Sequence, residues 1–468
     1  MIFLPRDAPA PTPPPDWVKM THGVSLLGGW LPAVVEIIAA VAVVAAIGWR
    51  TGRWRRVWLP LSVAIGTMVA LLTRTWVNSE GLASDPAPIQ LWLWIAVFGA
   101  SVAVAVLGWR GVGWARRGLS VLAVPLSLLA VLLTLNQWVG YYPTVPAAWG
   151  AATAGPLPDQ VDLDALPALR NTAPRNGKVV EVDIPGTTSG FKHRSEYVYL
   201  PPSWFAGSDP PTLPAVMMIA GEFNTAADWI RSGNVIPLLD DYAQHHGGMA
   251  PIFVFVDAGG SFNNDTECVN GPRGAAADHL ALDVRPYVIE RFGASADPAS
   301  WGVAGWSMGG TCAVDLTAMH PDLFRTFVDI AGDHGPTAGT KQQTIDRLYG
   351  GDAEQWAAFD PVSVMQAHGP YQGVAGWFAE AAKPPSDQLN SLLHGGNRQQ
   401  SSAPLGYGGH DVWQDDDRDN AGSDLCAAAQ SAHIDCTVHT ATSRHTWQFA
   451  TSAFAAALPW LAQRVGAA

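Results

Sequence analysis

The run Gly305-Trp306-Ser307-Met308-Gly309-Gly310 sets a serine among glycines, directly after the apolar stretch Trp301-Gly302-Val303-Ala304 and directly before the helix-like stretch Thr311 to His320. A serine hydroxyl is a weak nucleophile until a tight strand-to-helix turn presents it, and the G-x-S-x-G spacing is that of such an elbow. The flanking glycines leave room for the strained backbone the turn requires. Met308 follows the serine at the start of the helix, so its N–H points toward the place where an oxyanion would develop.

An attacking serine needs a base, a carboxylate that orients the base, and a second oxyanion donor. In the chain order serine, acid, histidine, His445 fits the base: it sits in a loop after the strand-like Cys436 to Thr442 and before the helix-like Trp447 to Leu458. His320 lies on the elbow helix and His334 soon after it, positions that suit structural roles. The N–H of Glu222, in the loop Ala220-Gly221-Glu222-Phe223-Asn224, is the candidate second donor. For the acid, the first choice is Glu380, at the end of the strand-like Val374 to Phe378. A long polar insertion follows it and carries the alternatives Asp387, Asp411, Asp415, Asp416, Asp417 and Asp419. The run Asp415 to Asp419 also reads as a solvated loop, and it lacks the ligand spacing of an EF-hand. No metal and no cofactor is expected.

The elements that must hold these residues alternate along the C-terminal part. Val179 to Ile184 and Ser195 to Leu200 read as an opening antiparallel hairpin. Leu213 to Ala220, Pro251 to Val256, Trp301 to Ala304, Thr326 to Ala331 and Val374 to Phe378 are short apolar runs of the kind buried in a parallel sheet. Helical stretches fall between or after them, among them Ala275 to Phe292, Thr311 to His320 and Ser423 to Ser431. Strand and helix in this alternation predict an α/β, doubly wound sheet.

Before about Tyr141 the chain has a different character. Val24 to Ile47, Trp58 to Val77, Gln90 to Leu107 and Leu119 to Val139 are apolar, and a bilayer span needs about 20 such residues. Tryptophans including Trp30, Trp49, Trp58, Trp76, Trp92, Trp109, Trp114 and Trp138 gather near the ends of these stretches, where an indole prefers the membrane interface. Arg50, Arg53, Arg55 and Arg56 fill the first loop and Arg110, Arg116 and Arg117 the third, whereas Asn78 to Ile89 between them carries only Glu80 and Asp85. The positive-inside rule puts the arginine loops in the cytoplasm and both chain ends outside it.

The predicted organisation is an extracytoplasmic tail over residues 1–23, four spans within 24–140, a proline-bearing linker over 141–176 and an extracytoplasmic catalytic domain over 177–468. The tail lacks the basic start of a cleavable signal peptide. Gly48-Trp49-Arg50 with Trp54-Arg55-Arg56 returns as Gly108-Trp109-Arg110 with Trp114 and Arg116-Arg117, so the spans form two repeated hairpins of the same sense. Such a parallel repeat differs from the inverted repeats common in secondary transporters. Glu36, near the middle of the first span, is either a functional group or a carboxyl held within the bundle.

Cys268, Cys312, Cys426 and Cys436 all fall in the domain assigned to the outside, where disulfides persist. Three pairings are possible; Cys426 with Cys436 and Cys268 with Cys312 is preferred. A net charge of −13 argues against nucleic acid as a partner.

Gly190-Phe191, Tyr197-Val198-Tyr199-Leu200-Pro201-Pro202, the Ser307 elbow, Met319-His320-Pro321 and His445-Thr446-Trp447 together resemble the esterase D and antigen-85-type mycolyltransferase group. The segment Asp265-Thr266-Glu267-Cys268-Val269-Asn270-Gly271-Pro272-Arg273-Gly274 is similar to that of membrane-anchored actinobacterial esterases of this type. The resemblance covers most of residues 180 to 465 and implies an α/β-hydrolase fold, a Ser–acid–His triad with Ser307 and His445 in the matching places, and action on carboxylic esters. The group's secreted members lack a four-helix membrane part, and Glu222 stands where they have an apolar residue. The expectation is therefore a membrane-anchored extracytoplasmic serine esterase or acyltransferase acting on lipid or cell-envelope esters. The alternative is a non-catalytic envelope protein that uses a hydrolase domain as a binding module.

Overall fold

The computed structural model describes residues 23–467 apart from 49, 81–86, 111, 154, 173, 383–419 and 444. Residues 1–22 of the predicted tail, Asp85 and the six candidate aspartates of the insertion lie outside the described residues.

Four helices come first: α1 (Trp30–Ile47), α2 (Leu59–Glu80), α3 (Ile89–Leu107) and α4 (Trp114–Val139). Each is long and apolar enough to cross a membrane. The first begins later than Val24 because Gly28 and Gly29 precede it and Gly29 takes a φ of 89°, outside helical space. A π-helical turn, Trp54–Trp58, leads into α2, so the arginines of that loop extend the helix instead of interrupting it.

The bundle is built inside out relative to a soluble one. Ile37, Val41, Val44, Leu71, Leu72 and Val106 face outward, while Ala39, Ala42, Ala46, Ala123 and Ala130 are buried between helices. Lipid tails are as apolar as leucine, so helices gain little by hiding leucine and more by close backbone approach. Gly66 on α2 shows the approach: a Cβ there would collide with the Ala96 carbonyl oxygen of α3. Buried Ser62, Ser127 and Thr134 give their hydroxyls to carbonyls one turn back, at Trp58, Ala123 and Ala130. At the arginine end, Arg50 donates to the carbonyls of Ala46 (2.7 Å) and Gly108 (2.9 Å) and stacks over Trp54.

At the other end the Asn136 side chain clasps the backbone of Tyr142, accepting its N–H (2.7 Å) and donating to its carbonyl (2.9 Å), while Gly140 turns the chain with a φ of 70°. A short helix, Val145–Ala152, follows, and then the sheet. Its strands are β1 (Gln160–Val161), β2 (Lys178–Val182), β3 (Glu196–Leu200), β4 (Ala215–Ile219) and β5 (Ile252–Val256). The small hairpin β6 (Asn270–Gly271) and β7 (Gly274–Ala275) stands apart, and β8 (Trp301–Trp306), β9 (Thr326–Ile330), β10 (Ala375–Ala382) and β11 (Asp435–Thr442) complete the sheet.

The spatial order is β1-β2-β3-β5-β4-β8-β9-β10-β11. β3 pairs antiparallel with both β2 and β5, and from β5 through β11 every pairing is parallel. The strands expected from the apolar runs are present with ends shifted by a few residues, and the chain has the α/β-hydrolase fold. Helices cover both faces. The elbow helix, Met308–Met319, belongs to one core with Trp204, Phe292 and Phe327; the C-terminal helix, Trp447–Val465, forms the other with Trp229, Phe253 and Trp306.

Two disulfides lock this domain, Cys268 to Cys312 and Cys426 to Cys436. The first ties the segment before β6 to the elbow helix across a separation of 44 residues. Cross-links over loops of this size contribute about 2–4 kcal/mol, chiefly through the unfolded chain. A C268A/C312A double variant should therefore unfold at lower denaturant by an amount in that range, measured on the detergent-solubilised chain; an unchanged midpoint would show that the bridge adds no stability.

Candidate active site

Ser307 directly follows β8 with φ 58° and ψ −125°, a backbone conformation that costs a non-glycine residue about 1–3 kcal/mol and persists only where packing enforces it. The enforcement is visible in its neighbours. A Cβ on Gly305 would collide with the Gly309 carbonyl oxygen, and one on Gly309 would collide with the Ile219 carbonyl oxygen at the end of β4. Strand, elbow and helix are thus in backbone contact, and no other residue type fits at those two positions.

His445 Nε2 lies 2.9 Å from Ser307 Oγ, within hydrogen-bond reach. Two neighbours fix the ring's place. Trp306 stacks on the imidazole with centroids 4.1 Å apart, and Thr446 caps the N-terminus of the C-terminal helix by accepting the Phe449 N–H. Proton transfer between such groups requires this kind of distance first and a suitable pKa second.

The loop Gly221 to Asn224 stands beside the serine: a Cβ on Gly221 would lie 3.0 Å from Ser307 Cβ. Glu222, Met308 and Arg194 line one recess there. Met308 is the first residue of the elbow helix, so the helix dipole and its first N–H groups face the recess. The Asn224 side chain donates to the Glu222 carbonyl (2.8 Å) and accepts from Trp447 Nε1 (3.2 Å), so the tryptophan two residues after His445 is tied to the loop opposite it.

Arg194 and Asp257 have no counterpart in the sequence-based expectations. Buried Asp257, just past β5, accepts from the Arg194 backbone N–H (2.6 Å), Nε (3.1 Å) and Nη2 (2.5 Å). The same Nη2 donates to the Asn224 carbonyl (2.8 Å). A bidentate guanidinium–carboxylate pair of this kind is geometrically rigid and serves here as the mount of the loop. The one available signal was a carboxylate immediately after an all-apolar strand, Ile252 to Val256.

Glu380 is buried at the C-terminal part of β10, where its Oε1 accepts the Ser423 N–H (2.6 Å) and its Oε2 the Thr440 hydroxyl (3.3 Å). The structure thus uses this carboxylate to anchor the start of the helix Ala421–Ser431 and to bind the neighbouring strand β11. Glu36 is half-buried in α1.

His193, Glu196 and His279 offer atoms within 4.8 Å of one another, a spacing that could hold a metal ion. The two ring nitrogens of His193 face the carbonyls of Arg194 (2.8 Å) and Ile184 (2.5 Å), which requires both to carry hydrogen and leaves no lone pair for a metal. Burial alone would lower this pKa, but the Glu196 carboxylate and the two carbonyls outweigh it and raise it. The trio fits an imidazolium–carboxylate staple stacked on His279, centroids 4.5 Å apart.

Residues 192–387 match the Esterase family model, described as "Putative esterase". The uncharacterized protein Cgl0967/cg1104 of Corynebacterium glutamicum is 28% identical over 390 residues, covering 78% of this chain and 86% of its own length. Among solved structures, an S-formylglutathione hydrolase from Agrobacterium tumefaciens is 16% identical over 63% of this chain and 97% of its own, with a TM-score of 0.46. MPT51 of Mycobacterium tuberculosis is 15% identical over 61% of this chain and 97% of its own, with a TM-score of 0.39.

Behind the elbow, burial pushes the Asp329 carboxyl up to about 7, against the pull of the Gly332 N–H it accepts at 2.8 Å, with Asp333 and Glu380 adding to the rise. A folded-state pKa above the unfolded one means stability that is full below the unfolded value and lost as pH rises through about 7. Asp329→Asn keeps an acceptor for Gly332 without a charge. Its thermal midpoint relative to the parent should therefore improve from pH 5 to about pH 7 and level off above that; parallel pH curves for the two proteins would refute the assignment.

Proposed function

We propose that this chain, whose C-terminal domain belongs to the Esterase family of α/β-hydrolases, is a membrane-anchored serine esterase or acyltransferase working outside the cytoplasm on lipid or cell-envelope carboxylic esters. The observation that carries the reading is the 2.9 Å approach of His445 Nε2 to Ser307 Oγ at a strained elbow. In the proposed cycle His445 takes the proton of Ser307 as Oγ attacks the acyl carbonyl. The N–H groups of Met308 and Glu222 receive the oxyanion, a stabilisation that mutagenesis elsewhere values at about 2.7–4 kcal/mol per donor. The alcohol leaves with the proton held by His445, and water or a sugar hydroxyl then takes the acyl group from the serine.

The carboxylate that orients His445 is drawn, in this reading, from the insertion bearing Asp387, Asp411, Asp415, Asp416, Asp417 and Asp419. Glu380 is set aside because its hydrogen bonds run to Ser423 and Thr440, where it serves the helix start and the neighbouring strand. The extracytoplasmic placement is supported by two features. Both disulfides fall in the hydrolase domain, and the helix ends nearest that domain, marked by Val77, Trp92 and Trp138, are those remote from the arginine loops.

Ser307→Ala should abolish fluorophosphonate labelling and lower turnover of a short acyl ester by about three or more orders of magnitude; labelling that persists in this variant would refute the nucleophile. Glu380→Gln, which keeps an acceptor for Ser423, should hold kcat within about tenfold of the parent. Replacing a triad acid by its amide costs about ten-thousandfold, so a loss of that size would return Glu380 to the triad. A membrane-impermeant maleimide added to intact cells should label a cysteine introduced at exposed Ser208 of the hydrolase domain; labelling only after the cells are lysed would reverse the proposed topology.

A further inference from the structure

The oxyanion loop does not end in solvent. Phe223, next to Glu222, packs on Trp92 at the start of α3, together with Val77 near the end of α2 and Trp138 at the end of α4. Phe223 takes a φ of 64°, so its backbone is held in a left-handed conformation that turns the side chain out of the loop toward the helices. Phe262, 66% exposed, lies against Phe223 with centroids 5.3 Å apart and continues the aromatic surface beyond the helix ends. On the base side, a Cβ on Gly140 would stand 2.7 Å from Thr446 Cγ2, one residue from His445. Tyr141 bonds Asp228, whose carboxylate also takes the Thr225 N–H at 2.6 Å, just past the same loop.

Both halves of the proposed catalytic centre therefore abut one end of the membrane helices. Tryptophan at helix ends marks the depth of the membrane–water interface, which is also where the ester linkages of a bilayer lipid lie, between head group and hydrocarbon.

We infer that the acyl chain of an outer-leaflet lipid ester reaches Ser307 directly from the bilayer, along the aromatic surface of Phe223 and Phe262 where it meets Trp92 and Trp138. This rests on the esterase reading for its chemistry. Ser307 Oγ bonds the acyl carbon, the ester C–O bond breaks, and the lipid alcohol departs with the proton taken by His445, all while the remaining lipid stays in the leaflet. Phe262 and Phe223 thereby select for substrates with a long apolar chain.

Two measurements on the full chain in phosphatidylglycerol–phosphatidylethanolamine vesicles test it. In the first, Ser307→Ala protein is irradiated with a vesicle lipid carrying a diazirine in its acyl chain, a readout independent of catalysis. Label on peptides containing Phe223 or Phe262 is expected; label confined to the bilayer faces of α1–α4 would overturn the inference. In the second, Phe262→Ser is compared with the parent on a long-chain fluorogenic lipid ester in the vesicles and on p-nitrophenyl butyrate in water. The ratio of the two kcat/KM values should fall about tenfold or more, and an unchanged ratio would overturn the inference. Failure of the esterase reading has its own signature, an unlabelled Ser307 in the fluorophosphonate assay, and leaves the photolabelling result standing by itself.

Discussion

The whole catalytic end of this molecule hangs on backbone touching backbone. The elbow helix approaches β4 and β8 so closely that Gly309 leaves no space before the Ile219 carbonyl, and Gly305 none before the Gly309 carbonyl. Van der Waals contact at that range is possible only without side chains, and once made it leaves the chain no alternative route between strand and helix. The strain at Ser307 is therefore a consequence of packing in the layers beneath, where Trp301, Val303, Cys312 and Val314 are all buried. The disulfide from Cys312 to Cys268 adds a covalent tie from the same helix to the strip beside the loop.

A second layer of control is polar. Trp447, Asn224, Arg194 and Asp257 form one chain of hydrogen bonds from the C-terminal helix through the loop Gly221 to Asn224 to the end of β5. Asp257 in turn takes its N–H to Glu196, which sits with His193 and His279. Each buried charge in this chain has a partner of opposite sign or a backbone donor, the condition under which burial of charge is tolerated. The loop is thus positioned by rigid elements on three sides, and its one outward element, Phe223, meets the helix bundle.

Much of this was legible in the sequence, for reasons that can be stated. Ser307 was found because glycine spacing around a serine is a steric requirement written locally. The sheet was found because buried parallel strands must be short apolar runs, as Ala215–Ile219 and Ile252–Val256 are. Of the three possible cysteine pairings, the preferred one, Cys426 with Cys436 and Cys268 with Cys312, is the one the structure holds. Arg194 and Asp257 were not legible, since their partnership spans 63 residues and leaves no spacing to read. Glu380 was read from its place after a strand, but its partners, Ser423 and Thr440, come from distant segments that only the folded sheet brings near. The meeting of Phe223 with Trp92 joins two parts of the chain that look like separate domains, so no local pattern announces it.

The clasp of Asn136 on Tyr142 and the contact of Gly140 with Thr446 hold the hydrolase domain close against the end of α4. A domain held in this way cannot tumble on a tether. For the lipid ester proposed as substrate, the search would become two-dimensional, a diffusion of enzyme and substrate past one another in the plane of one leaflet. Saturation would then be set by the mole fraction of that lipid in the leaflet, and dilution of the surrounding solution would leave the rate untouched.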